Sequence, residues 1–267
     1  MAARMRSFNK VFVIALPRCA TVSMWDALGR LGIRTAHLGK IYGEATAEHH
    51  NPQRLLRMYD QIRAGDFRLD ILQDCDGLAD YPACIFDVFT QLDREFPGSL
   101  FINVRRDDDI RRWLQSVERQ FVGLQLLKEG DSATPEERKF MEAMRGFRQM
   151  TFGSTEFDAE LYERAYRAYQ DKVDAYFASR PSDLLTLHSV DDLGEVGFQA
   201  LCAFLDCPIP DVDFPRQNSH SIRPAHAFHE ALDAGRIRSQ TGIEPRLPAD
   251  PDLPAPAQPS PGGRNSC

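Results

Sequence analysis

An unbroken apolar run, Val11-Phe12-Val13-Ile14-Ala15-Leu16, opens the organised part of the chain. Met24, Leu28 and Leu31 follow at intervals of four and three, the spacing of one helix face. Between them lies a punctuated turn, Pro17-Arg18-Cys19-Ala20-Thr21, so the pattern predicts strand, loop, helix. A second strong run, Leu100 to Val104, is preceded by the turn signal Pro97-Gly98 and ends in charge at Arg105. Shorter extended segments are expected at Arg34–His37, Asp70–Leu72 and Leu184–Leu187. Helical spacing recurs over Pro52–Ala64, Cys84–Phe96, Asp158–Ala178 and Val196–Leu205. Another helix carries Ile110, Trp113, Leu114 and Val117, with Asp107, Asp108 and Asp109 placed to cap it. Thr134-Pro135-Glu136-Glu137 reads as a further helix start, and Gly153-Ser154 as its end.

Strands alternating with longer helices indicate an α/β fold: a central parallel sheet flanked by helices. In such sheets ligands sit beyond the carboxyl ends of the strands. Three loops are therefore expected on one rim, after Leu16, after Leu72 and after Val104. Residues 1–9 read as an N-terminal arm and 10–240 as a single α/β domain. Proline recurs from Pro245 through Pro261, so residues 241–267 read as a disordered Pro-rich tail.

The bulk properties narrow the function. A formal net charge of -7 over 267 residues argues against coating nucleic acid, although a local arginine cluster could still hold an anion. The run from Val11 is too short for a membrane span or a signal peptide, which points to a cytoplasmic protein. Cys19, Cys75, Cys84, Cys202, Cys207 and Cys267 include no CxxC pair, so reduced thiols are expected and a zinc site is not. Cys202 and Cys207 fall around a helix end.

The first loop can cradle an anion, because a helix N-terminus presents amides and the positive end of its dipole. Arg18 adds a fixed charge, and Thr21 and Ser23 add hydroxyls. The loop lacks the glycines and lysine of a Walker A motif, which ranks a kinase or NTPase below the other readings. At the end of the second strong strand, Arg105 or Arg106 can grip a phosphate through paired hydrogen bonds, and Ser116 follows on the next helix. Arg111 and Arg112 read as a solvated face. The middle loop holds Asp74, Asp76 and Asp80, any of which can solvate a loop or serve as a general base. His37, near another strand end, is a rival base. Phe121, Met141, Met144, Phe147, Met150, Phe152 and Phe157 offer an apolar cover, read first as packing of their own helices.

Four motifs in order resemble the P-loop-like sulfotransferases that use 3′-phosphoadenosine 5′-phosphosulfate (PAPS). ALPRCATVSM is similar to the family's GLPRTGTTSL, and FINVRRDDDIRRWLQS to FILTVRDPxxWxxS. Asp80-Tyr81-Pro82 matches a D-x-P element, and LCAFLDCPIPDVDFPRQN resembles LCxFLGxPxPxxPFPxxN. The similarity spans Lys10 to Asn218. It implies a three-layer sandwich and sulfuryl transfer to an acceptor hydroxyl or amine on a small molecule or glycan, with no metal. It also implies that Pro17, Arg18, Cys19, Ala20, Thr21, Val22 and Ser23 wrap the 5′-phosphosulfate. Arg105, or Arg106, and Ser116 would then hold the 3′-phosphate. Arg18 would neutralise charge on the bridging oxygen. Asp80 is the first choice for the base, with Asp76 and His37 behind it. Three departures stand out: Cys19 for Thr or Ser, Ala20 for Gly, and Val22 for a hydroxyl residue. They keep open an alternative, a weakened relative that binds a nucleotide or a protein partner.

Overall fold

The computed structural model describes residues 5–45, 50–107, 109–128, 133–191, 193–216 and 222–245. Asp108, Gln217, Asn218, Cys267 and the prolines from Pro248 onward, singled out above, lie outside the described residues. Six strands form one sheet in the order β3-β2-β4-β1-β5-β6. They are β1 (Val11–Val13), β2 (Thr35–His37), β3 (Lys40–Ile41), β4 (Gly77–Ala79), β5 (Leu100–Val104) and β6 (Leu184–Leu187). All neighbours pair in parallel except β3, which runs antiparallel to β2. The helices are α1 (Thr21–Arg30), α2 (Pro52–Arg63), α3 (Phe86–Glu95), α4 (Ile110–Lys128), α5 (Pro135–Phe152), α6 (Ala159–Phe177), α7 (Leu193–Leu205) and α8 (Ile222–Asp233). This is the α/β sandwich expected from the alternation of patterns, with β1 in its middle. No helix among the described residues is long and apolar enough to cross a membrane.

The two-residue side-chain period of a strand assigns the faces of the sheet. Phe12 and Phe101 point to one face, where Phe101 meets Phe177 of α6 with ring centroids 5.0 Å apart. Asn103 shares that face and donates to Gln170 of α6 at 2.8 Å. Helix starts carry the expected caps. Thr134 and Glu137 form a capping box on α5, and Asp158 accepts from the Leu161 amide on α6.

Three segments depart from the sequence pattern. Asp70–Gln73 is a 3₁₀ turn, not a strand: Gln61 accepts from the Asp70 amide and donates to its carboxylate, while Ile71 and Leu72 turn into the core. The strand lies instead inside the stretch read as loop, at Gly77–Ala79. Glycine is required there, since a Cβ at Gly77 would sit 1.8 Å from the Val11 carbonyl oxygen. The third is β3, joined to β2 by Leu38-Gly39, whose φ values of 45° and 82° make the tight turn that suits a two-residue hairpin.

Helix α8 was also not anticipated. It lies on α4, so close that a Cβ at Gly123 would meet the Pro224 carbonyl oxygen at 1.9 Å. The chain beyond it returns to α4, where the buried Glu118 carboxylate accepts from the Ser239 hydroxyl at 2.8 Å and the Gln240 amide at 2.6 Å.

Candidate functional site

Strands β1, β2, β4 and β5 all point their carboxyl ends at one cavity of about 630 Å³. The loop after β1 forms its floor. The Ile14 amide still donates to the Ile102 carbonyl at 2.8 Å, and beyond it side chains engage the backbone carbonyls. The Tyr169 hydroxyl donates to the Ile14 carbonyl at 2.6 Å, and the Trp113 indole N–H to the Pro17 carbonyl at 2.9 Å. Arg106 Nε donates to the Arg18 carbonyl at 3.2 Å. These bonds account for carbonyl oxygens that would otherwise repel an anion.

Within this frame Arg18 (φ 69°) and Ala20 (φ 57°) are left-handed, a conformation that costs a non-glycine residue roughly 1–2 kcal/mol. Ala20 is also the N-cap residue of α1 and gives it no side-chain cap. The first amides of a helix have no acceptor within the helix. Pro17, Arg18, Ala20, Thr21, Val22 and Ser23 all line the cavity. Cys19 does not: it is fully buried, and burial pushes its thiol up to about 12. Burial also lowers the Arg18 guanidinium from its usual value, against the opposing pull of Asp80. Its Nε donates to the Ser116 hydroxyl at 3.1 Å.

The two arginines after β5 part company. Position 105 has the same parity as Phe101 and Asn103, so its side chain faces α6. There both terminal nitrogens bond the Asp174 carboxylate, one turn beyond Gln170, and Arg105 is 6% exposed. Arg105 therefore braces the sheet against α6 and does not line the cavity. Arg106 does. Its amide donates to the Tyr166 hydroxyl at 2.7 Å, and that hydroxyl donates to Asp107 at 3.2 Å.

The middle loop divides as well. Asp80, directly after β4, lines the cavity and is 7% exposed. Asp76 precedes the strand and lies at the opposite rim, where its carboxylate accepts from the Arg34 amide at 2.7 Å. Asp74 is exposed and also precedes β4. Asp80 is left-handed (φ 66°), and its Oδ1 accepts from the Tyr81 amide at 2.8 Å. Its Oδ2 accepts from the Thr21 hydroxyl at 2.6 Å and lies 3.6 Å from His37 Nε2. Burial alone would raise the Asp80 carboxyl. The charge of His37 when protonated, with the Thr21 and Tyr81 donors, outweighs burial and holds it below the usual carboxylate range. Thr21 thus spends its proton on Asp80 and does not aim it into the cavity.

Composition and motif reading missed much of the outer cavity. Arg112, assigned to a solvated face, lines it while bonded to Asp191 at 2.7 Å. Phe214, Pro215 and Arg216 line it too. Their signal in the sequence is the FPRQN motif. Phe214 packs into the space over Gly197, where a Cβ would lie 2.5 Å from its ring. The apolar segments divide between cover and core. Phe121, Leu124, Phe140 and Met144 line the cavity, whereas Phe147 stacks on Tyr81 at 5.3 Å and Phe152 on Tyr162 at 4.0 Å.

Residues 10–222, most of the chain and all of the cavity floor, match the family model described as a sulfotransferase domain. A search of curated proteins found no match.

Two outcomes follow from this geometry. Ala20→Gly relieves the left-handed strain and should stabilise the protein by about 0.5–1 kcal/mol in urea unfolding. Asp80 has a lowered folded-state pKa, so its contribution is complete above the unfolded carboxyl value and disappears as pH falls through the folded one. Stability should drop below about pH 4, and Asp80→Asn should flatten that acid limb in thermal melts.

Proposed function

The chain belongs to the sulfotransferase family, and on that premise we propose that it moves a sulfuryl group from PAPS to an acceptor hydroxyl, or amine, on a small molecule or glycan. The observation that carries the reading is the loop from Pro17 to Ser23, with its carbonyls engaged by Trp113 and Arg106 beside the uncapped start of α1. Those residues fit a phosphosulfate: Arg18 brings a positive charge to amides that have no acceptor within the helix. Arg105 and Ser116 fit the 3′-phosphate poorly, the first held by Asp174 and the second by Arg18. Arg106, with Arg112 and Arg216 further along the cavity, is assigned to that group instead.

When bound, PAPS supplies the sulfuryl group, which an acceptor oxygen takes by in-line attack as adenosine 3′,5′-bisphosphate departs. Arg18 would neutralise charge gathering on the departing oxygen. Asp80 is held ionised by the Thr21 and Tyr81 donors and by nearby His37, and is therefore a weak proton acceptor. We assign the base to His37, which would act as the neutral imidazole, with Asp80 as the residue that positions it; this reverses the order that the sequence suggested. Phe121, Leu124, Phe140 and Met144 would keep water from the acceptor. A second reading, a nucleotide-binding relative that transfers slowly, is favoured by the engagement of Arg105, Ser116 and Thr21 within the protein. Release of bisphosphate across an acceptor panel separates the two.

Adenosine 3′,5′-bisphosphate should raise the melting temperature, by the equivalent of about 2.7 kcal/mol at a hundredfold excess over Kd. Arg18→Ala and Arg106→Ala should remove most of the shift. Arg105→Ala should lower the melting temperature of the free protein yet keep the shift. A wild-type protein with no shift would overturn the nucleotide assignment. His37→Ala should keep the shift and lower kcat by roughly 10²–10⁴; unchanged kcat would return the base to Asp80.

A further inference from the structure

Helix α7 ends in a turn that brings two thiols together. Asp206, just past the last helical residue, is left-handed (φ 52°), and the Cys207 amide donates to the Cys202 carbonyl at 3.0 Å. That six-to-one bond defines a Schellman cap, in which the side chains of the bonded residues meet beside the helix end. The same cap closes α2, where Gly65 is left-handed and the Asp66 amide donates to the Gln61 carbonyl at 2.9 Å. There the equivalent side chains touch: Gln61 Nε2 donates to Asp66 Oδ2 at 2.9 Å. In α1 the paired residues are Leu28 and Ile33, the apolar contact usual for this cap. In α7 the pair is Cys202 and Cys207. Both are free thiols, Cys202 buried at 3% exposure and Cys207 half-buried. The Cys202 thiol donates to the Pro208 carbonyl at 3.4 Å, so its sulfur lies against the turn that carries Cys207. Burial, with the neighbouring Cys207 thiol adding to it, raises the Cys202 thiol to about 12.

We propose that Cys202 and Cys207 form a reversible oxidation site that takes a low-molecular-weight disulfide such as oxidised glutathione. The Cys207 thiolate attacks one glutathione sulfur, forming a mixed disulfide and releasing one glutathione thiolate. The Cys202 thiolate then attacks the Cys207 sulfur and displaces the second glutathione. The balance is two protein thiols and one glutathione disulfide converted to one protein disulfide and two reduced glutathiones, which carry the two protons. The order follows from exposure, because only Cys207 reaches solvent. Cys19, Cys75 and Cys84 are each buried, so the cap is the reactive pair among the described cysteines. The bond would tether the start of the segment that returns along α7 to set Phe214, Pro215 and Arg216 in the cavity wall. The site is independent of the donor assigned above.

The full-length protein is incubated with oxidised glutathione, alkylated and digested, and the peptides are weighed. The expected peptide holds Cys202 and Cys207, has lost two hydrogen atoms and resists alkylation until reduced. Cys202→Ser should stop the sequence at the first step and leave a glutathione adduct on Cys207. Full alkylation of both thiols after exposure, a stable adduct on Cys207 in the wild type, or a bond from Cys207 to Cys267 would each overturn the proposal.

Discussion

The loop after β1 depends on backbone carbonyls being bonded by side chains from elsewhere in the fold. Tyr169 of α6 holds Ile14, Trp113 of α4 holds Pro17, and Arg106 after β5 holds Arg18. A carbonyl dipole is satisfied by a donor, so the loop can turn its amides toward an anion without presenting oxygens to it. The left-handed angles at Arg18 and Ala20 are strained for residues with a Cβ and persist because these contacts over-determine them. Two helices that meet nowhere in sequence are thereby coupled to one turn. Trp113 is fully buried and Tyr166 lies 4.7 Å from its ring, which ties the α4–α6 packing to the position of Pro17.

The same economy governs charge. Buried charges are tolerated only when paired and hydrogen-bonded. Asp80 meets this condition through Thr21, His37 and the Tyr81 amide, and Arg105 through Asp174. What remains toward the cavity is an excess of guanidinium groups over free carboxylates, although the chain as a whole is acidic. Local placement, not net charge, decides which ligand such a surface attracts.

Much of this was legible in the sequence. The Val11 and Leu100 runs are strands because they are apolar on both faces, as strands buried in a parallel sheet must be. The α5 cap was readable from Thr134 and Glu137, whose spacing satisfies both donors at once. Strand β4 was hidden because Gly77-Leu78-Ala79 carries one bulky residue and sits among acids. The reason for its glycine, the approach of Val11, exists only in three dimensions. Asp70–Leu72 misled because two adjacent apolar residues fit either a strand or a buried turn, and the bonds from Gln61 decided for the turn. That displacement moved Asp76 to the far rim and left Asp80 as the carboxylate at the end of a strand.

Which of Arg105 and Arg106 lines the cavity is foreshadowed by the strand alternation. Strand parity sends Phe101, Asn103 and residue 105 to one face. On α6, Gln170, Asp174 and Phe177 recur at intervals of four and three, so they too share a face. The two faces meet in the fold, Phe101 against Phe177, Asn103 against Gln170 and Arg105 against Asp174. The motif alone does not separate the two arginines. Parity does, because a side chain committed to the sheet–helix interface cannot also reach the rim. The residue that escapes the alternation, Arg106, begins where the strand ends, and that position leaves its guanidinium beside the loop on which the site is built.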